Sequence, residues 1–243
     1  MAVVEQEQAP LELESGKGQI TERPLGAFTR PGGGGGWRSW LFTVDHKKIG
    51  IMYGAAGLLF FIIGGIYALF MRLQLARPGN SILSAETYNQ VFTMHGVVMI
   101  FLAAIPLGAA FSNYLIPLQI GARDVAFPRL NAFSFWVFLG GGLFLLTSMF
   151  IGGWWENAPD GGWFAYSPNT GVLFSPSKGI DFFAIGLQIT GIASLVGAIN
   201  LIVTVLNMRS PGMTLMKMPV LTWMLFIVQM LLLFAMPVIS VAL

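Results

Sequence analysis

Five uninterrupted apolar runs dominate this sequence, at about residues 49–71, 91–118, 131–153, 182–207 and 219–243. Each meets or exceeds the roughly 20 residues that a helix needs to cross a bilayer. Lipid offers the backbone no hydrogen-bond partners, so a spanning segment is either a helix or a strand of a closed barrel. Barrel strands alternate apolar and polar residues, and these runs do not, which excludes the barrel. Of 243 residues, 55% are hydrophobic and 10% charged, the balance of a polytopic membrane protein. The expected fold class is an all-α membrane protein, a bundle of about five transmembrane helices. Glycines recur inside the runs, at Gly64, Gly65, Gly108, Gly140 to Gly142, Gly186, Gly191 and Gly197. Small residues let membrane helices approach closely, so the bundle is expected to be tightly packed.

Residues 1–36 read differently. They carry five glutamates (Glu5, Glu7, Glu12, Glu14, Glu22) and the run Gly32 to Gly36, with too little apolar surface to fold. This predicts a disordered tail, and a transmembrane domain over residues 37–243. Trp37 and Trp40 suit the membrane interface. Thr43-Val-Asp-His-Lys-Lys48 predicts a solvated polar cap with cationic anchors. Ten of the 13 Lys and Arg fall in the N-terminal region, the second loop (Arg123, Arg129) and the fourth (Arg209, Lys217). The positive-inside rule puts that side, and the N-terminus, in the cytoplasm. The fifth run reaches residue 243 without a polar tail or anchoring charge, so a fragment or one piece of a split subunit is expected. No cleavable signal peptide is visible. The sequence has no cysteine, which excludes disulfides, thiolate metal sites and iron–sulfur clusters within it. A net charge of +2, with no basic patch interleaved with aromatics, argues against a nucleic-acid partner.

Polar residues inside the runs carry the functional signal. His95 is the only histidine within an apolar run; His46 lies just before the first. An ionisable group at membrane depth is costly and is a functional-site hypothesis by default. Neutral imidazole is also a usual ligand of haem iron. A hydrogen-bonded interhelical histidine is the competing reading. Tyr88, His95 and Met99, spaced by seven and four residues, share one helix face. Arg72 closes the first run on the same side, either near a group held by His95 or snorkelling to the interface. On the cytoplasmic side, Asn113 ends the second run, Asp124 sits in a short loop, and Asn131 and Ser134 begin the third. The fourth run carries Thr190, Ser194, Asn200, Thr204 and Asn207. Singly, such groups are helix–helix glue. Together, a carboxylate at the mouth followed by amides and hydroxyls orders a file of water that conducts protons. A loop ion pair with Arg123 is the alternative for Asp124. The outer loop from Gly153 to Pro168 is rich in aromatics, which form interfacial belts or donate hydrogen bonds to anionic groups.

Longer stretches carry a specific likeness. Thr43-Val-Asp-His-Lys-Lys48, Phe92-Thr-Met-His-Gly-Val-Val-Met-Ile100, Pro117-Leu-Gln-Ile-Gly-Ala-Arg-Asp-Val-Ala-Phe-Pro-Arg-Leu-Asn131, Gly162-Trp-Phe-Ala-Tyr166, Gly197-Ala-Ile-Asn200 and Met208-Arg-Ser-Pro-Gly-Met-Thr214 resemble subunit I of the A-type haem–copper terminal oxidases. Order and spacing match from about residue 40 onward, over the first five of that family's helices. The resemblance implies that His95 is an axial ligand of the low-spin haem, haem a by type. It implies that Arg72 hydrogen-bonds the haem formyl group, that Tyr88 and Met99 contact the haem, and that Trp163 lies beside its propionates. Asp124 matches the uptake carboxylate of the D proton pathway. Asn113 and Asn131 match its gating asparagines, and Ser134, Ser194 and Asn200 its upper polar lining. The implied function is part of the catalytic subunit of a proton-pumping oxidase in the bacterial inner membrane. The implied partners are a copper-bearing subunit II, subunit III and cytochrome c.

There are departures. The family's high-spin haem, copper and second axial position need histidines on later helices, and this chain has two histidines in all. Ala193-Ser194 stands where many members have two serines, Gln74 where some have a cation-binding glutamate, and Gln188 where many have histidine. At positions matching the quinone site of quinol-oxidising relatives stand Ile63, Tyr67 and Thr87, without the expected charges or imidazole, which favours cytochrome c as donor. Alternatives are quinol oxidation, a haem-free proton channel or transporter, and a non-functional truncated product.

Overall fold

The computed structural model describes residues 36–151 and 158–243. The expected tail, apart from Gly36, and the Trp154-Trp155 part of the outer loop lie outside the described residues. Among the described residues every regular element is helical. They are α1 (Arg38–Leu41), α2 (His46–Gln74), α3 (Ala85–Val97), π-helical turns over Val98–Ala104, α4 (Ile105–Ile120), α5 (Pro128–Thr147), α6 (Gly179–Asn207), a 3-10 turn at Leu215–Lys217, and α7 (Val220–Ala242). Five segments are long and apolar enough to cross a membrane, with Ala85–Ile120 forming the second. The expected all-helical, five-span class holds.

Local chemistry fixes the helix ends. Asp45 caps α2 by accepting from Lys47 N–H at 2.9 Å. Ser84 caps α3 by accepting from Thr87 N–H at 3.1 Å. Each satisfies an orphan N–H of the first turn. At the end of α4, Gly121 takes φ +74° while Gly121 N–H bonds Leu118 O and Ala122 N–H bonds Pro117 O, the Schellman arrangement. A side chain at Gly121 would also run into Ser210 Oγ. Pro106 has no N–H for the carbonyl four residues earlier, Leu102, which lies in the π-helical turns; a proline often perturbs the ladder in this way.

Packing follows a spacing of small residues. Gly50, Gly57 and Gly64 lie seven apart on α2. A Cβ there would meet Ala110 O at 3.0 Å, Leu107 Cγ at 3.1 Å and Met99 Sδ at 2.7 Å respectively. A seven-residue repeat drifts only about 20° around a helix, so the three glycines form one seam. The second span lies against that seam along its whole length. Similarly, Gly141 receives Ile189 and Thr190 of α6, and Gly186 receives Leu145 of α5, so α5 and α6 form a second closely packed pair. The main core includes Phe60, Met94, Val97, Leu102, Phe138 and Leu145. A smaller cluster of Ile116, Ile120, Val125, Val205 and Phe226 closes the end where the second and fourth loops turn.

One expectation is corrected here. His46 is not part of a solvated cap: it is 1% exposed, and its Nδ1 lies 2.8 Å from Asn113 O. The helix start is buried because the end of α4 and the Asp124 loop fold over it. Lys47 and Lys48 stay half-buried, and Lys48 lies over the Trp40 ring at 5.6 Å.

Candidate functional site

Two polar groupings emerge, at opposite ends of the bundle. At the first, α2 and α3 meet at Gly64. Its missing side chain lets His95 Nδ1 reach Gly64 O at 2.8 Å. With Nδ1–H donated to a carbonyl, the other ring nitrogen, Nε2, carries the lone pair. Metal-binding histidines are oriented in this way. Met99 packs on the same glycine. Gly96, next to His95, lies under Trp163, where a Cβ would stand 3.0 Å from Trp163 Cβ. The loop holding Trp163 is pinned to α3 by Gly162 N–H donating to Thr93 Oγ1 at 2.9 Å. Three of the five cofactor-binding candidates, His95, Met99 and Trp163, are thus gathered around two glycines. Arg72 is exposed in the last turn of α2, and Tyr88 is half-buried in the first turns of α3. They flank the group without joining it by hydrogen bonds. In the sequence Gly64 signals only close packing; that its carbonyl orients His95 depends on the contact between the two helices.

At the other end, the Asp124 loop is held by α6. Asn200 accepts from Phe127 N–H at 2.8 Å and donates to Phe127 O at 3.3 Å. Thr204 accepts from Ala126 N–H at 2.9 Å. Asn200, expected along the upper lining, instead spends its amide on this loop. Asp124 itself accepts from Val125 N–H at 2.7 Å. Burial raises its pKa from the ordinary carboxylate value; the Val125 N–H and the His46 ring and N–H pull the other way, and Asp45 adds to the rise.

Above the loop, Asn113 Oδ1 and both amide atoms of Asn131 are buried without a protein partner. Buried polar atoms are almost always satisfied by protein or ordered water. Ser134 Oγ donates to Asn131 O at 2.8 Å and lies 3.1 Å from Tyr53 Oη. Asn113, Ser134 and Ser194 line a cavity of about 360 Å³, together with Tyr53, Ser112 and Gln229. Those last three were not singled out in the sequence, because a lone polar residue in an apolar helix reads as glue until its neighbours are known.

The sequence profile described as "Cytochrome C and Quinol oxidase polypeptide I" matches residues 48–243. This chain belongs to the haem–copper oxidase subunit I family. It is 54% identical over 204 residues to cytochrome c oxidase subunit 1 of Bacillus subtilis (strain 168), covering 84% of this chain and 32% of that protein. The same figures hold for cytochrome c oxidase subunit 1 of Bacillus sp. (strain PS3). Quinol oxidase subunit 1 of Bacillus subtilis (strain 168) is 47% identical over 207 residues, 85% of this chain and 31% of that protein. The chain therefore spans about a third of the length of the oxidase subunits it matches. Family membership agrees with the five helices long and apolar enough to cross a membrane.

Proposed function

We propose that this chain forms part of the catalytic subunit of a proton-pumping terminal oxidase of the bacterial inner membrane, which reduces oxygen to water. In it, His95 would hold the iron of a low-spin haem, of haem a type. A haem bound there supplies a one-electron relay. The single observation that carries the reading is the 2.8 Å contact from His95 Nδ1 to Gly64 O. It fixes the tautomer and leaves Nε2 as the acceptor that a metal needs. Met99 and Trp163 wall the same place, and Arg72 and Tyr88, on the same two helices, would contact the edge of the group held there.

Proton delivery belongs to the other end. Asp124 takes a proton at the cytoplasmic mouth, where its burial favours the protonated form. Asn113 and Asn131 orient water above it through their unpaired amide atoms. Ser134 and Ser194 continue the file along the cavity wall, with Tyr53 beside Ser134. Asn200 positions the loop rather than the water. The N-terminus lies on the cytoplasmic side, as the distribution of Lys and Arg supports.

Cytochrome c is the donor, acting through a copper-bearing subunit II; a subunit III completes the complex. Tyr67 supports this choice, because it is 5% exposed and its hydroxyl donates to Met149 Sδ at 2.7 Å. It is a core residue rather than part of a quinone pocket. The high-spin haem and copper rest on ligands outside this chain. The test is the reduced-minus-oxidised spectrum of the assembled complex. Loss of the low-spin band in His95→Ala is expected, and an unchanged spectrum removes the ligand role. A parent complex without any haem would instead support the transporter reading. Oxygen consumption with reduced cytochrome c, and none with quinol, is expected of the parent.

A further inference from the structure

Gln229 is the sole amide on α7 and is 5% exposed. It faces the second span one heptad from Thr222. Thr222 Oγ1 donates to Gln119 Oε1 at 2.5 Å, a tight helix-to-helix bond. Seven residues along each helix, Gln229 Nε2 donates to Ser112 Oγ at 3.5 Å, beyond the usual range for an N–H···O bond. Ser112 already donates to Gly108 O at 2.9 Å, so its oxygen can only accept. The two contacts differ in surroundings: Gln229 and Ser112 line the 360 Å³ cavity, and Thr222 and Gln119 do not.

Burying an amide without full pairing is costly relative to an apolar side chain. A leucine would fit α7 as its neighbours Leu225, Val228 and Leu232 do on the same cavity wall. The cavity has room for several waters. Purely apolar cavities tend to stay dry, and a buried water needs about two to four polar partners. Asn113 Oδ1, next in sequence to Ser112, is unpaired. Facing it, α7 offers one polar side chain.

We infer that Gln229, with Ser112, is a further water-positioning pair of this chain, anchoring the far wall of the hydrated cavity beside Asn113. This rests on the proton-path reading above and extends that path to a fifth helix. Gln229 acts through water and touches no reacting group. Its loose bond to Ser112 lets a water insert between the two side chains at little cost.

The test uses the assembled oxidase in vesicles, with Gln229→Met, Gln229→Glu and Asp124→Asn compared to the parent. Gln229→Met keeps length and removes the amide. It is expected to slow proton uptake about tenfold, the kinetic equivalent of one lost hydrogen bond, while the haem spectrum stays unchanged. Gln229→Glu keeps hydrogen-bonding groups at the same reach and is expected to restore most of the rate. Parent-like uptake in Gln229→Met alongside slow uptake in Asp124→Asn overturns the inference and leaves the pathway standing. Normal uptake in both overturns the pathway and the inference with it. If Gln229→Met fails to assemble, water-to-protein magnetisation transfer in solid-state NMR of the parent decides. A Gln229 side-chain amide polarised as fast as Asn113 supports the anchor, and one as slow as lipid-facing groups overturns it.

Discussion

Asp124 accepts a short bond from Val125 N–H, yet its burial outweighs that bond and lifts its pKa. The folded chain then holds this proton more tightly than the unfolded chain does. Stability contributed at this site is greatest below the ordinary carboxylate pKa and falls as pH rises through the window up to the raised folded value. Asp124→Asn removes that fall, so the variant is expected to melt slightly higher than the parent at pH 7 and equally at low pH. Its proton uptake is expected to drop about a hundredfold, the scale for a lost positioned proton carrier. Melting curves at two pH values and stopped-flow uptake check the two halves. At Arg72, exposed at the end of α2, replacement by methionine tests the formyl contact. A shift of the low-spin band is expected, and an unmoved band leaves only an arginine snorkelling to the interface. The residue types were legible without coordinates, because a histidine, an arginine and an aspartate in so apolar a chain stand out. Their partners were not, since Gly64 O and Phe127 N–H are backbone groups that every residue carries.

The seam of glycines on α2 sets how closely the second span approaches. Gly64→Ala puts a methyl group where Met99 Sδ now lies 2.7 Å away. Overpacking of this kind costs about 1–3 kcal/mol. The flexible Met99 side chain absorbs part of it, and the helices separate for the rest. The expected result is a weakened His95–Gly64 bond, seen as a broadened or displaced low-spin band, with a modest drop in thermal stability. On the fourth span, Asn200→Ala leaves Phe127 N–H without its partner, at about 1–3 kcal/mol for the orphaned group, while Phe127 O still accepts from Asn131 N–H at 3.0 Å. Slower proton uptake and earlier melting are expected together, because the loop that places Asp124 loosens. A variant that slows uptake without any loss of stability would return Asn200 to the water file. The helices themselves follow from their apolar runs. The π-helical turns do not, because Pro106 marks a disturbed ladder without saying how the chain accommodates it.

Across the whole molecule, the helices are unequally buried, α2 more deeply than α7. The two histidines are also far apart. His46 and Gly64 are 18 residues apart on one helix, roughly 27 Å at ~1.5 Å per residue, and His46 is engaged by Asn113 O. One chain therefore cannot place both imidazoles on one iron. A six-coordinate low-spin spectrum is expected only when the rest of the oxidase is present, and expression of this chain by itself with haem checks it.

Sequence by itself determined the number and length of the membrane-crossing helices, because lipid leaves a long apolar run no other way to satisfy its backbone. It also determined the family, through motifs that hold their order over most of the chain. Tertiary structure alone decided that His46 is buried, that Asn200 holds a loop, and that Ser112 and Gln229 face one cavity with Asn113. Those outcomes depend on which helix faces touch, and contacts between residues 67 to 117 positions apart leave no trace in local spacing.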